Sequence, residues 1–170
     1  MTKLPFMLKE DIDIIEAELK QGYGRLDILE WGSGWSTKYF SDVLNEKNID
    51  FMWESIEYDV KWYIEMLKLN MQNVRLHLFD EEILRHDDRR AIRTKPMNEY
   101  VLFPKKLGKK YDIIFVDGRK RRRCLLECID LLKPKGIIFL HDADRPYYNC
   151  VLGKFEGKKL TNKLWKGKLK

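Results

Sequence analysis

Five short apolar runs punctuate the chain: LDILEW from Leu26, FMWESIEY from Phe51, VRLHLF from Val74, YDIIFVD from Tyr111 and GIIFLHD from Gly136. Their shortness predicts strands, and YDIIFVD, apolar on both faces, predicts a central parallel strand. Between them the apolar period changes to that of a helix. Ile12, Ile14, Ile15 and Leu19 mark a leading helix over 6–21 that ends near Gly22 and Gly24. Ser36 or Thr37 caps a second helix running to about residue 47, with Tyr39, Phe40, Val43 and Leu44 on its apolar side. A third follows residue 58 with Val60, Tyr63, Ile64 and Leu67 on one face, and a fourth carries Cys124, Leu125, Cys128, Ile129 and Leu132. KPKG, Lys133 to Gly136, reads as a turn, and the last 25 or so residues predict a closing hairpin with LWKGKL as its final strand.

Strands alternating with helices define an α/β fold: a Rossmann-like three-layer sandwich whose mostly parallel sheet, seven-stranded or reduced, has helices on both faces. The 170 residues fit one domain, 1–170. Ligands of such sheets bind at the carboxyl ends of the strands, which directs attention to the turns after residues 31, 57, 79, 117 and 141. Residues 80–110 break the rhythm with acids, arginines and two prolines, and are the candidate acceptor-recognition region.

Composition removes some classes of protein. The apolar fraction of 44% is globular, no run reaches the length of a membrane span, and the N-terminus turns acidic where a secretory signal stays apolar. The chain reads as soluble and cytoplasmic. Cys124, Cys128 and Cys150 show no zinc spacing and read as buried thiols. The net charge of +6 is local, with cations crowding Arg119 to Arg123 and the tail from Lys154 to Lys170. An anionic acceptor, a nucleic acid or a solvated face each accounts for such patches.

The turn after the first strand, LEWGSGWST, bears the most specific chemistry. A dinucleotide fingerprint needs three glycines, but counting from Gly32 and Gly34 the third position is Thr37. Glu30, immediately before the turn, would repel a pyrophosphate and attract a cationic ligand. Glu57, closing the second strand, suits the two hydroxyls of a ribose. A nucleoside with a cationic, amino-acid-like end and no phosphate describes S-adenosylmethionine.

LEWGSGWST, SIEYDVKWY, YDIIFVDGRKR, LLKPKG and LHDADRPYY together resemble the successive motifs of class I S-adenosylmethionine-dependent methyltransferases, from about residue 26 to residue 148. The resemblance is closest to small bacterial-type members. It implies that the donor contacts Glu30, Gly32, Ser33, Gly34, Ser36, Thr37, Glu57, Asp80 and Asp117, with Glu81 competing for the role of Asp80. Trp35 stands where that subgroup often has glycine.

Methyl transfer needs alignment of donor and acceptor and, for a hydroxyl, removal of a proton. Asp117 and Asp142, ending the fourth and fifth strands, are the candidate catalytic acids. The same pair would hold a divalent metal if one were used, with His141 and Asp144 completing the set, although a salt-bridge network with Arg119 or Arg145 is the favoured alternative. VDGR stands where amino-group methyltransferases often carry Asn/Asp-Pro-Pro-Tyr, so adenine and glutamine acceptors are disfavoured. The expected function is methylation of a hydroxyl on a small-molecule or sugar-type acceptor, in a chain that a homodimer would help to complete. An RNA-binding or RNA-modifying protein of the same fold is the alternative.

Overall fold

The computed structural model describes residues 3–21, 24–80 and 94–170. Among the described residues seven strands lie in chain order: β1 (Leu26–Trp31), β2 (Phe51–Glu57), β3 (Val74–Leu78), β4 (Tyr111–Val116), β5 (Leu132–Leu140), β6 (Phe155–Lys159) and β7 (Trp165–Leu169). They form one sheet in the order β3-β2-β1-β4-β5-β7-β6. β1 to β5 pair in parallel, and β7 runs antiparallel to both β5 and β6. The helices are α1 (Lys9–Leu19), α2 (Trp35–Glu46), α3 (Val60–Leu67), α4 (Asn98–Lys106), α5 (Arg121–Leu131) and the single turn α6 (Asn149–Leu152).

Successive residues of a strand point to opposite faces, so a strand covered on both sides is apolar throughout. Ile28 and Ile113 enter the core formed with Ile12 and Ile15 of α1 and Phe40 and Leu44 of α2. Their neighbours Leu29 and Ile114 enter the other core, with Tyr100 and Val101 of α4 and Cys124, Leu125 and Cys128 of α5. Phe115 lies at the centre of the first core, stacked against Trp53 at 5.3 Å, Phe139 at 5.4 Å and Phe40 at 6.2 Å. This stack ties α2, β2, β4 and β5 together just beneath the carboxyl edge of the sheet.

Several expectations need correction. KPKG is part of β5 rather than a free turn: Tyr111 pairs with Leu132 but Ile113 pairs with Ile137, so the extra residues bulge out of the ladder. On α3, Met66 is the buried residue, while Ile64 and Leu67 are 46% and 50% exposed, so the predicted apolar face is not the packed one. Ile129 of α5 is also exposed, and Leu132 lies in β5. Within 80–110 the chain forms a helix that the sequence pattern does not predict, α4, which buries Tyr100, Val101 and Pro104. The rest of that region, 81–93, lies outside the described residues, with Glu81 and His86 in it.

The lysine-rich tail is the β6–β7 hairpin. Lys163 pairs with Asp144 at 2.7 Å, Lys166 with Glu18 and Lys168 with Glu156 at 3.3 Å. Lys158 and Lys159 stand exposed on the edge strand β6, where lysines discourage pairing with another sheet. Among the described residues no helix is long and apolar enough to cross a membrane.

Candidate functional site

The turn after β1 is built on a close approach of two backbones. Gly32 has φ +98°, and a Cβ there would lie 2.6 Å from the Cα of Gly118, the residue that follows Asp117 beyond β4. A Cβ on Gly118 would meet the Tyr100 hydroxyl at 2.0 Å and the Gly32 nitrogen at 2.9 Å. Hydrogen bonds from Gly32 N to Ile56 O (2.8 Å) and from Asp117 N to Trp31 O (3.0 Å) continue the ladders into this crossing. From below, Trp31 Nε1 donates to Tyr100 O (3.1 Å) and the Tyr100 hydroxyl accepts from Arg119 N (3.1 Å). Gly34, rather than Ser36 or Thr37, occupies the N-cap of α2; its N–H is met by Thr37 Oγ1 at 2.8 Å.

Glu30 lies under this turn, 1% exposed. Its Oε2 accepts from Thr37 Oγ1 (2.6 Å), Ser55 Oγ (2.8 Å) and Trp53 Nε1 (3.1 Å), and its Oε1 from Ser36 Oγ (3.2 Å). The carboxylate therefore faces internal donors. Burial, opposed by the Thr37 and Ser55 hydrogen bonds, pushes its pKa up from 4.5 to about 7. A folded-state pKa above the unfolded one means stability present below pH 4.5 that is lost as the pH rises through about 7. Glu30→Gln keeps an acceptor for Trp53, Ser55 and Thr37 while removing the titration. Relative to this variant, the wild type should lose about 3 kcal/mol between pH 4.5 and 8 in denaturant melts, since each tenfold change in proton affinity on folding is worth about 1.4 kcal/mol. A pH-independent difference would remove Glu30 as the titrating group.

Above the turn a cleft of about 250 Å³ opens at the carboxyl ends of β1, β2 and β4. Gly32, Ser33, Gly34 and Ser36 form one wall, Glu57, Tyr58, Asp59 and Trp62 another, and Asp117, Gly118 and Arg119 a third. Glu57 is 3% exposed and fixed at this wall. Its Oε1 accepts from Tyr58 N (2.8 Å) and Asp59 N (2.9 Å), and its Oε2 from Ser33 Oγ (3.0 Å). Burial outweighs these three bonds and raises its pKa. Asp59 caps α3 through Trp62 N (2.9 Å), and Trp62 Nε1 donates to Ser33 O (2.6 Å), locking the second wall to the first. Tyr58 and Trp62 thus pack and line the cleft at once. Among the other expected residues, Thr37 is fully buried below the turn, and Asp80 is exposed beyond β3, outside the cleft lining.

The N-terminal segment contributes to the cleft lining. Phe6 and Met7 line the cleft together with Trp35, and Lys3 Nζ lies 4.8 Å from the Trp35 ring and 5.3 Å from the Phe6 ring. Trp35, the residue that departs from the subgroup's pattern, therefore forms part of the rim.

The arginine run is dispersed over separate tasks. Arg121 is buried and clamps the ends of β4 and β5: it donates to Asp117 O (2.7 Å), Asp117 Oδ1 (2.9 Å), Gly118 O (3.0 Å) and His141 O, and approaches Asp142 Oδ2 at 3.4 Å. Arg119 donates to the Tyr58 hydroxyl (3.1 Å), Arg122 lies over the Tyr147 ring, and Arg123 bonds Asn98 Oδ1 (2.9 Å). Asp142, at φ +54°, pairs with Arg145 at 2.9 Å and lies outside the cleft lining. The Arg121 guanidinium thus stands where Asp117 and Asp142 would share a metal, and no cluster of three or more metal-binding side chains occurs among the described residues. His141 Nδ1 lies 3.0 Å from Asp117 Oδ1. Burial opposes charge on this ring, but the Asp117 hydrogen bond and charge, with Asp142's charge, outweigh it and raise its pKa. His77 is structural, bonded to Glu54 at 2.7 Å. Cys124 and Cys128 are buried thiols whose pKa burial pushes up, whereas Cys150 is exposed.

A parallel sheet with strand order 3-2-1-4-5, extended by an antiparallel β7 and carrying an acid-lined cleft at the carboxyl ends of its strands, has the architecture of the doubly wound α/β class, whose ligands bind at that edge. No family model and no curated protein matches the chain. Solved structures do match. A methyltransferase-like protein from Silicibacter pomeroyi superposes with a TM-score of 0.72 at 17% identity, covering 98% of this chain and 88% of that one. Precorrin-6y C5,15-methyltransferase from Geobacter metallireducens gives 0.60 at 11% identity, covering 100% and 94%. A chain of a fibrillarin/Nop5p complex gives 0.55 at 18% identity, covering 92% and 79%. The fold is that of the class I S-adenosylmethionine-dependent methyltransferases.

Proposed function

We propose that this chain is a single-domain S-adenosylmethionine-dependent methyltransferase that binds its donor in the cleft and methylates a hydroxyl of a small-molecule acceptor. The observation that carries this reading is the Glu57 carboxylate, fixed in the cleft wall beside the Gly32 to Gly34 turn, whose Ser33 hydroxyl donates to it. A carboxylate has about four lone-pair sites, and three protein donors leave Oε2 able to accept from a ribose hydroxyl. The second hydroxyl then competes with Ser33, whose rotating O–H gives way without loss of the fold.

The donor fits the charge of the cleft. Among the described residues Glu57, Asp59 and Asp117 line it against one lining cation, Arg119, a field that favours an ammonium and a sulfonium and opposes a pyrophosphate. This role passes from Glu30, which sits beneath the turn and shapes it, to the three acids that line the space. Bound S-adenosylmethionine supplies an electrophilic methyl carbon. Ser33, Gly34 and Ser36 would flank its methionine end, Glu57 its ribose, and Asp117 and Arg119 the wall beyond. Phe6, Met7 and Trp35 at the mouth would exclude water and receive the acceptor.

The reading is tested by titrating the folded protein with S-adenosylhomocysteine and with NADH. Saturable one-to-one binding of the first and none of the second is expected. Binding of NADH alone would replace the methyl donor with a dinucleotide.

A further inference from the structure

Trp35 is the first residue of α2, and its side chain lines the cleft together with that of Phe6. Lys3 Nζ lies over both rings, 4.8 Å from the Trp35 centroid and 5.3 Å from the Phe6 centroid, so two aromatic faces converge on one ammonium. An aromatic face presents negative charge density, and indole attracts a cation best. Neither ring is there for the core or the donor. Phe6 is 75% exposed, and in the subgroup that the sequence resembles glycine often stands at the position of Trp35, so donor binding does not call for an indole.

The charge of the lining has the same preference as the rings. Among the described residues Glu57, Asp59 and Asp117 are set against Arg119, and three acids against one arginine exceed the single net positive charge of S-adenosylmethionine. A second cation beside the donor is therefore favoured. The lysine ammonium is compact and strongly hydrated, which makes it a weak occupant of an exposed pair of rings. An ammonium that bears methyl groups gives up its water at lower cost and lays its methyl groups on both faces.

We propose that Phe6 and Trp35 form a recess for a cationic group of the acceptor, and that the acceptor is an amino alcohol, with a methylated ammonium for the rings and a free hydroxyl for the donor. Lys3 holds the recess in the free protein as an internal competitor. The inference rests on the methyl-donor reading of the cleft and gives its acceptor a chemical class. Phe6 and Trp35 are specificity residues in this scheme: they fix the charged end of the acceptor, which leaves the hydroxyl end to extend along the cleft toward the methyl carbon.

Choline is the probe, with neohexyl alcohol as its uncharged isostere and the anion of tert-butylacetic acid as a counterpart of opposite charge. Protein saturated with S-adenosylhomocysteine is titrated with each at constant ionic strength, and the indole N–H signals are followed by NMR, with Trp35→Leu identifying the Trp35 signal. Choline should shift that signal saturably and bind at least about fivefold more tightly than either counterpart. Phe6→Leu should weaken choline binding by at least about threefold, and Lys3→Met should strengthen it by about two- to fivefold, the ratio to which one exposed cation–π pair corresponds. No saturable shift, equal binding of choline and neohexyl alcohol, tighter binding of the anion, or unchanged choline affinity in either variant would overturn the proposal and leave the donor site standing. Failure of S-adenosylhomocysteine to bind would overturn the donor site, and the acceptor assignment with it.

Discussion

Gly118→Ala should destabilise the protein by about 3 kcal/mol or more, the range of severe overpacking. The added methyl has no place to go: it would lie 2.0 Å from the buried Tyr100 hydroxyl and 2.9 Å from the backbone nitrogen of Gly32. Relief requires either β1 and β4 to separate at their carboxyl ends or Tyr100 to leave its site, where it supports Arg119 N and packs edge-on against Tyr58. For a chain of this size such a loss corresponds to a melting temperature about 6–12 °C lower. Tyr100→Phe removes the atom at 2.0 Å, so Gly118→Ala should cost less in that background than alone. Thermal or denaturant unfolding of the two single variants and the double variant decides it; strictly additive losses would mean that the Tyr100 contact is not the obstacle.

The second large effect falls on the ligand. Glu57→Ala should weaken S-adenosylhomocysteine binding by about 2–4 kcal/mol, roughly 30- to 700-fold, the scale of one or two charge-assisted hydrogen bonds. Part of the loss comes from the protein itself, because Tyr58 N, Asp59 N and Ser33 Oγ lose their common acceptor and the start of α3 loosens. Glu57→Gln separates the two contributions. An amide can still accept from Tyr58 N and Asp59 N, so the wall survives while the charge toward the ribose is gone. Affinity should therefore fall less for Gln than for Ala. Calorimetric titration of both variants measures this, and unchanged affinity in Glu57→Ala would remove the ribose from this wall. Since burial raises the Glu57 pKa, wild-type affinity should also decline as the pH falls and the carboxylate is neutralised.

The parallel core was legible because strands buried on both faces leave an unmistakable apolar run. YDIIFVD and GIIFLHD are of this kind: β4 lies where the first predicts, and β5 contains the apolar part of the second but starts earlier, at Leu132. Helix α4 is hidden in the sequence because a proline inside it, Pro104, and four lysines within 105–110 obscure the face that Tyr100 and Val101 begin. The apolar face assigned to α3 failed for another reason. Periodicity shows that a face exists but not whether the sheet reaches it, and Ile64 and Leu67 lie beyond that reach.

At the site, the glycine turn and Glu57 were legible from the order of strand, turn and helix. Glu30 shows where such reading stops: alternation along β1 assigns its face, but the four donors around it come from α2 and β2 and are set by packing. Arg121 is similar. Within RKRRR nothing distinguishes it from its neighbours, yet it alone turns inward to bind both strand ends. Gly118 carried a signal in VDGR, where a glycine directly after a strand marks a close approach, but the partner Gly32 is visible only once β1 and β4 are adjacent. The pairing of His141 with Asp117 likewise depends on β4 and β5 ending side by side.

The central claim, that the cleft above Gly32 to Gly34 holds a methyl donor, is tested most directly by a crystal structure with S-adenosylhomocysteine bound. The predicted result places the ribose hydroxyls on Glu57 Oε2, the methionine end against the Ser33 and Gly34 backbone, and the sulfur toward Asp117 and Met7. A ligand seated elsewhere on the molecule, with this cleft filled by water at saturating concentration, would contradict it.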